Sequence, residues 1–104
     1  MIGQSSPWGQ IVSANCKDGI WEVSTMSHGG FFLDAERNKR VPEAWQAATW
    51  NGGQGRRGWY EEDSDATFVV LAFPEVFTAA DRQNALFMFN EWIAPKAGLP
   101  KLEG

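Results

Sequence analysis

Ile20-Trp21-Glu22-Val23-Ser24-Thr25-Met26-Ser27-His28-Gly29-Gly30-Phe31-Phe32-Leu33 is the stretch whose reading decides the fold. Residues 20–25 alternate, with Trp21, Val23 and Thr25 on one face and Ile20, Glu22 and Ser24 on the other, the period of a half-buried strand. Gly29 and Gly30 then turn the chain back into an apolar strand at 31–33, as the residues able to take positive φ. Upstream, Asn15-Cys16-Lys17-Asp18-Gly19 holds an Asp-Gly hairpin signal. A short strand at 10–14 precedes it, after a turn at Pro7 and Gly9. The expectation is a three-stranded antiparallel meander over about residues 8–33.

Downstream the pattern becomes helical. Asp34 can cap a first turn through Ala35, Glu36 and Arg37. Pro42 suits the first position of a second helix running from 43 to about 49, with Trp45 inward. Gly52, Gly53, Gly55 and Gly58 are expected to break all regular structure in a loop carrying Arg56 and Arg57. Residues 66–73 suit strand by propensity and helix by the acids that precede them. The helix reading, with Ser64 as cap and Pro74 as stop, is preferred. A last amphipathic helix starts at Thr78 with Asp81 as a weak capping box. It carries Ala85, Leu86, Phe89, Trp92 and Ile93 as its apolar stripe and is expected to stop at Pro95. The fold class is α+β, a meander packed against two or three helices in one compact domain over residues 1–104.

Composition narrows the class. The chain carries a formal net charge of −4 and an isoelectric point near 4.8, which argues against a free nucleic-acid binder. Six tryptophans and seven phenylalanines are many for 104 residues. Most are expected in the core, and any left on the surface are candidate partner anchors. Cys16 is the single cysteine, so the chain has no internal disulfide and no cysteine-based zinc site. No charged start leads into an apolar run, and no apolar stretch nears the roughly 20 residues of a membrane span. A cytoplasmic protein without membrane contact is expected.

Two clusters can carry chemistry. His28 is the only histidine and can act as a general base or metal ligand, or simply hydrogen-bond its own turn. Trp59-Tyr60-Glu61-Glu62-Asp63 sets three consecutive carboxylates beside two aromatics. Two of these acids can converge on His28, which makes His28, Glu61 and Glu62 the catalytic candidates. The alternative is a solvated acidic run that favours a helix start. No cluster has zinc or calcium spacing, and neither metal nor cofactor is expected. Arg56 and Arg57 can grip phosphate or carboxylate from their loop, though it lacks the P-loop ending.

Ser6-Pro7-Trp8-Gly9, then Val23-Ser24-Thr25-Met26-Ser27-His28-Gly29-Gly30, then Trp59-Tyr60-Glu61-Glu62-Asp63, then Ala72-Phe73-Pro74 form an ordered set. It resembles a family of small domains of unknown function scattered through bacteriophages, plasmids and mobile islands. The similarity spans about residues 6–77. The resemblance implies that habitat and no activity; by analogy with other small phage and plasmid products, the expectation is an accessory protein that binds and disables a host defence component, such as a CRISPR effector, by occlusion. The partner would be a host protein or ribonucleoprotein, met through Trp59, Tyr60, Glu61, Glu62, Asp63, Arg56 and Arg57 without direct nucleic-acid binding. A small hydrolase or nucleotide-binding enzyme built on His28 and the acidic run is the alternative, and a structural dimer using exposed tryptophans is the third reading.

Overall fold

A computed structural model describes residues 4–103, all but Asn51 with their side chains. The chain opens with a hairpin of β1 (Ser5–Ser6) and β2 (Gly9–Gln10), whose two-residue turn is Pro7-Trp8. Ser6 closes this turn, its hydroxyl donating to the Gly9 carbonyl at 2.8 Å and accepting from the Trp8 N–H at 3.2 Å. A second sheet follows in the order β3 (Ser13–Lys17), β4 (Ile20–Ser24), β5 (Gly29–Leu33) and β6 (Trp59–Glu61), all antiparallel. Asp18 and Gly19 both take positive φ, +53° and +81°, so the Asp-Gly signal forms the tight turn between β3 and β4.

The meander starts later than its sequence suggests, at Ser13, and gains a fourth strand. That strand, β6, is the first half of the Trp59–Asp63 motif, and it returns to pair with β5 after the intervening short helices. Gly29 and Gly30 do not make a turn. They are strand residues without positive φ, and the reversal falls on residues 25–28. There the Thr25 N–H donates to the His28 carbonyl at 2.7 Å, and the Thr25 hydroxyl accepts from the His28 N–H at 3.1 Å. What requires glycine at position 30 is closeness. A Cβ there would lie 2.6 Å from the Trp8 ring and would also collide with the Tyr60 carbonyl.

The sheet is therefore covered on both faces. Ile20, Leu33 and Tyr60 point from one face into the main core with Val41, Phe68, Val69, Phe73, Phe89 and Ala94. The opposite face carries the row Trp21, Phe32, Trp59 and the row Val23, Gly30, Glu61, in register. Trp8 lies over this second face, edge-on to Trp59 at 5.6 Å, and Phe32 meets Trp59 at 4.5 Å. This is why Ile20 and Val23 are both buried although alternation puts them on opposite sides.

Short helices fill the crossover. In α1 (Ala35–Asn38) the Asp34 side chain accepts from the Arg37 N–H, as the sequence suggests. Pro42 precedes α2 (Glu43–Ala47), and Trp45 packs on Phe68 and Phe89. The glycine-rich segment is not a loop. It forms α3 (Trp50–Gly53) and a 3-10 turn over Gln54–Arg57. It ends at Gly58, whose φ of +89° and close approach to the Leu33 carbonyl exclude a side chain. Of residues 66–73 all but Phe73 are helical, as preferred, in α4 (Ala66–Ala72). Its N-cap is Asp65 rather than Ser64, with no side-chain cap bond.

The C-terminal helix departs most from its pattern. Thr78 caps α5 (Ala79–Met88) through the Asp81 N–H as expected. Pro95 does not stop the helix. A π-helical segment over Phe89–Ile93 intervenes, the Ala94 N–H donates to the Phe89 carbonyl five residues back, and α6 (Ala94–Ala97) continues to Gly98 in the left-handed conformation. Proline lacks the N–H that would answer the carbonyl four residues earlier and its ring presses on that carbonyl, and a wider turn absorbs both effects. The buried positions become Ala85, Phe89 and Ala94, spaced four and then five. That shift leaves Trp92 64% exposed, where a straight helix would turn it inward. Beyond Gly98 the Asn90 side chain bonds both the N–H and the carbonyl of Leu102, pinning the end of the chain against the helix.

Two stability measurements check this packing. Phe89→Ala should cost about 3–5 kcal/mol by opening a core cavity, whereas Trp92→Ala should shift the melting temperature by no more than a few degrees. Equal losses would return Trp92 to the core. Gly30→Ala should cost about 1–3 kcal/mol through overpacking against the Tyr60 carbonyl and the Trp8 ring, and the double variant Gly30→Ala/Trp8→Ala should recover the Trp8 share and lose less than the sum of the single losses. Strict additivity would show that the two positions do not touch.

Candidate functional site

The β5–β6 ladder brings the two sequence clusters side by side. Gly30 pairs with Glu61, and the Glu62 N–H donates to the Gly29 carbonyl at 2.9 Å. The Glu62 carboxylate lies over Gly29, 2.8 Å from where a Cβ would stand. His28 is exposed at this same edge. Among the described residues its ring makes no hydrogen bond or ion pair, to Glu61 and Glu62 or to any other group. Glu61 is occupied locally, its carboxylate accepting from the Asp63 N–H at 2.8 Å. No group of three or more metal-ligating side chains is assembled among the described residues.

The remaining sequence candidates separate. Tyr60 is fully buried and unavailable to a partner. Its hydroxyl donates to the Asn38 side chain, burial pushes its pKa well above the ordinary phenol value, and the nearby Asp65 charge adds to that rise. Trp59 is half-buried beneath Trp8. Glu62 and Asp63 stay exposed. Arg56 and Arg57 are exposed on the 3-10 turn and border a different concavity of about 450 Å³, together with Phe32 and Lys39.

A groove of about 710 Å³ lies just beyond the acidic run. One wall comes from α2 and its C-terminal end, with Ala44, Ala47, Ala48 and then Trp50. The other is the irregular part of the last helix, with Met88, Trp92, Ile93, Lys96 and Ala97. Phe68 and Asp65 lie at its floor, 1% and 3% exposed, and Ser64 borders it. Trp50 is 48% exposed and Trp92 64%, so each wall presents an open indole.

Asp65 is the buried acid of this groove. The Trp50 N–H, first of α3, donates to its carboxylate at 2.8 Å. Thr49, the formal cap of α3, is used elsewhere: its hydroxyl donates to the Gln46 carbonyl and accepts from the Gly55 N–H. Asp65 thus caps a helix distant from it in sequence. Among the described residues no cation forms an ion pair with it. Burial is the main cause that pushes its pKa up, to about 6 from the ordinary 3.8. The hydrogen bonds from the Trp50 and Glu61 backbones pull the other way, and the Glu61 charge adds to the rise.

Trp50, Asp65 and Trp92 are not conspicuous in the sequence as a site. Asp65 reads as one more member of an acidic run, and Trp92 falls on the apolar stripe of an ideal helix. The available signal is Pro95 inside a helical pattern, which forces the irregular turn that exposes Trp92.

The Asp65 carboxyl makes a signed prediction. The native state holds a proton that the unfolded chain releases between about pH 4 and pH 6, so this contribution to stability is complete at low pH and is lost as pH rises through about 6. Asp65→Asn keeps an acceptor for the Trp50 N–H and removes the buried charge. It should gain about 1–3 kcal/mol over the native chain at pH 7, with the difference closing toward pH 4, in denaturant titrations at both values. A less stable variant at pH 7 would show that the ionised carboxylate is a net stabiliser.

Among the described residues no helix is long and apolar enough to cross a membrane. No curated protein and no solved structure matches the chain. One family does, over residues 1–97, under the description "Domain of unknown function (DUF7007)". With nearly the whole length matched, the chain belongs to this DUF7007 family.

Proposed function

We propose that this domain is a binding protein, and that its docking surface is the groove between Trp50 and Trp92 with the acidic turn at its mouth. The observation that carries the reading is the pair of open indoles on opposite walls of one groove. Large apolar side chains held in water on a rigid frame are disproportionately the anchors of protein interfaces. Glu62 and Asp63 stand exposed immediately before Ser64, which borders the groove, so they lie where negative charge steers a basic partner. His28 supports no chemistry of its own in this reading, since its ring engages none of the carboxylates.

The partner class follows from the resemblance of the motif set to phage and mobile-element domains. The domain occludes a host defence component, such as a CRISPR effector, in the host cytoplasm, where the exposed Cys16 remains a free thiol. Trp50→Ser/Trp92→Ser tests the surface and the function together. Expressed in a host with an active CRISPR effector, the native chain should restore plaques of a targeted phage. The double variant should fold with an unchanged melting temperature and bind the effector about a thousandfold more weakly, each lost anchor being worth about 2 kcal/mol. Native protection and affinity retained by the double variant would overturn the groove. No protection across a panel of defence systems would overturn the anti-defence role. Concentration-dependent dimers that the double variant abolishes would assign the groove to a second copy of the chain instead.

A further inference from the structure

Resting on that docking surface, we infer that the groove receives an amphipathic helix from a partner protein, and that this helix delivers one basic side chain, arginine or lysine, to Asp65. The shape argues for a helix. Both walls are helical, and Ala44, Ala47 and Ala48 keep one of them low, so a third rod can approach closely while its apolar face meets the indoles.

Charge decides what that rod must carry. Asp65 is a carboxylate at the floor with 3% exposure, bonded by the Trp50 N–H at 2.8 Å and by the Glu61 backbone, and with no cation in contact among the described residues. A carboxylate offers about four acceptor positions, so two backbone bonds leave about half of its capacity for a ligand. A wholly apolar helix seated here would strip the last water from this group and give nothing back. A guanidinium or ammonium answers it directly, and the faces of Trp50 and Trp92 add cation–π attraction on the way in. A nucleic-acid backbone fails the same test, because it brings phosphate toward Asp65 and the acidic turn of a chain with net charge −4. Lys96 stands on the groove wall, where it discourages a second basic residue at that end and leaves Asp65 as the site of recognition.

A helix-biased peptide library displayed against the full chain, with counter-selection on Trp50→Ser/Trp92→Ser, supplies probes specific to the groove. The peptides that enrich should carry an arginine or lysine flanked by apolar residues three and four positions away. Replacing that arginine with citrulline should weaken binding at least about tenfold, Asp65→Asn should do the same, and the two changes together should cost little more than either alone. Should the Asp65→Asn chain fail to fold, the citrulline exchange on the native chain decides the question by itself. Groove-dependent peptides that lack a basic residue, that carry an acidic one in its place, or that bind the citrulline form equally well overturn the basic helix and leave the docking groove standing. If no peptide depends on Trp50 and Trp92, the groove falls as well.

Discussion

The segment between α1 and β6 has no long element of its own, and its conformation depends on hydrogen bonds converging on the buried Asn38 side chain. Asn38 donates to the Gly55 carbonyl at 2.8 Å and accepts from the Tyr60 hydroxyl, which also reaches Gly55 at 3.2 Å. Gln46 ties the Asn38 and Val41 carbonyls to α2, and Thr49 ties the Gln46 carbonyl to the Gly55 N–H. Four short pieces of chain, none stable alone, become one body because every partner in this network is satisfied. The groove inherits that rigidity. Its α2 wall and Trp50 are fixed from behind by polar contacts, so the apolar side can stay open to solvent.

A second cluster organises the back of the sheet. Three of the motifs that mark the family resemblance meet there: Trp8 from the first hairpin, Gly30 from the second motif and Trp59 from the third. Their grouping is a packing relation. The turn at Pro7-Trp8 presents a ring, the glycine makes room for it, and the aromatic strand beside it supplies the edge-on partner. His28 and the acidic residues sit at the ends of these packing segments. A motif can thus hold an eye-catching histidine while the residue next to it carries the structural reason for the pattern.

The local rules worked where local physics decides. The Asp-Gly turn, the Asp34 and Thr78 caps and the helix at 66–72 all appear as read, because each depends on a few neighbouring residues. What escaped depends on contacts distant in the chain. Gly29 and Gly30 read locally as a turn, whereas what excludes a side chain at position 30 is the Tyr60 carbonyl, thirty residues downstream, together with the Trp8 ring, twenty-two residues upstream. The glycine-rich segment reads locally as a loop, whereas the network that holds it is anchored at Asn38 and Tyr60. Of the candidate site, only the acidic turn at its mouth was legible. Asp65 needed its partner at Trp50, and Trp92 needed the irregular helical turn.

That irregular turn makes chain length an element of the groove. The segment from Phe89 to Ala94 spends five residues on what an α-helix does in about four. One deletion within the turn would leave an ordinary α-helical turn of about four residues, so Ala94, Lys96 and Ala97 would keep their facing relative to α5 while the side chains between Phe89 and Ala94, Trp92 among them, would be re-aimed. Substitutions change the chemistry of this wall one side chain at a time, whereas a single-codon deletion in the turn would re-aim several side chains of the wall at once and keep the core contacts of Phe89 and Ala94.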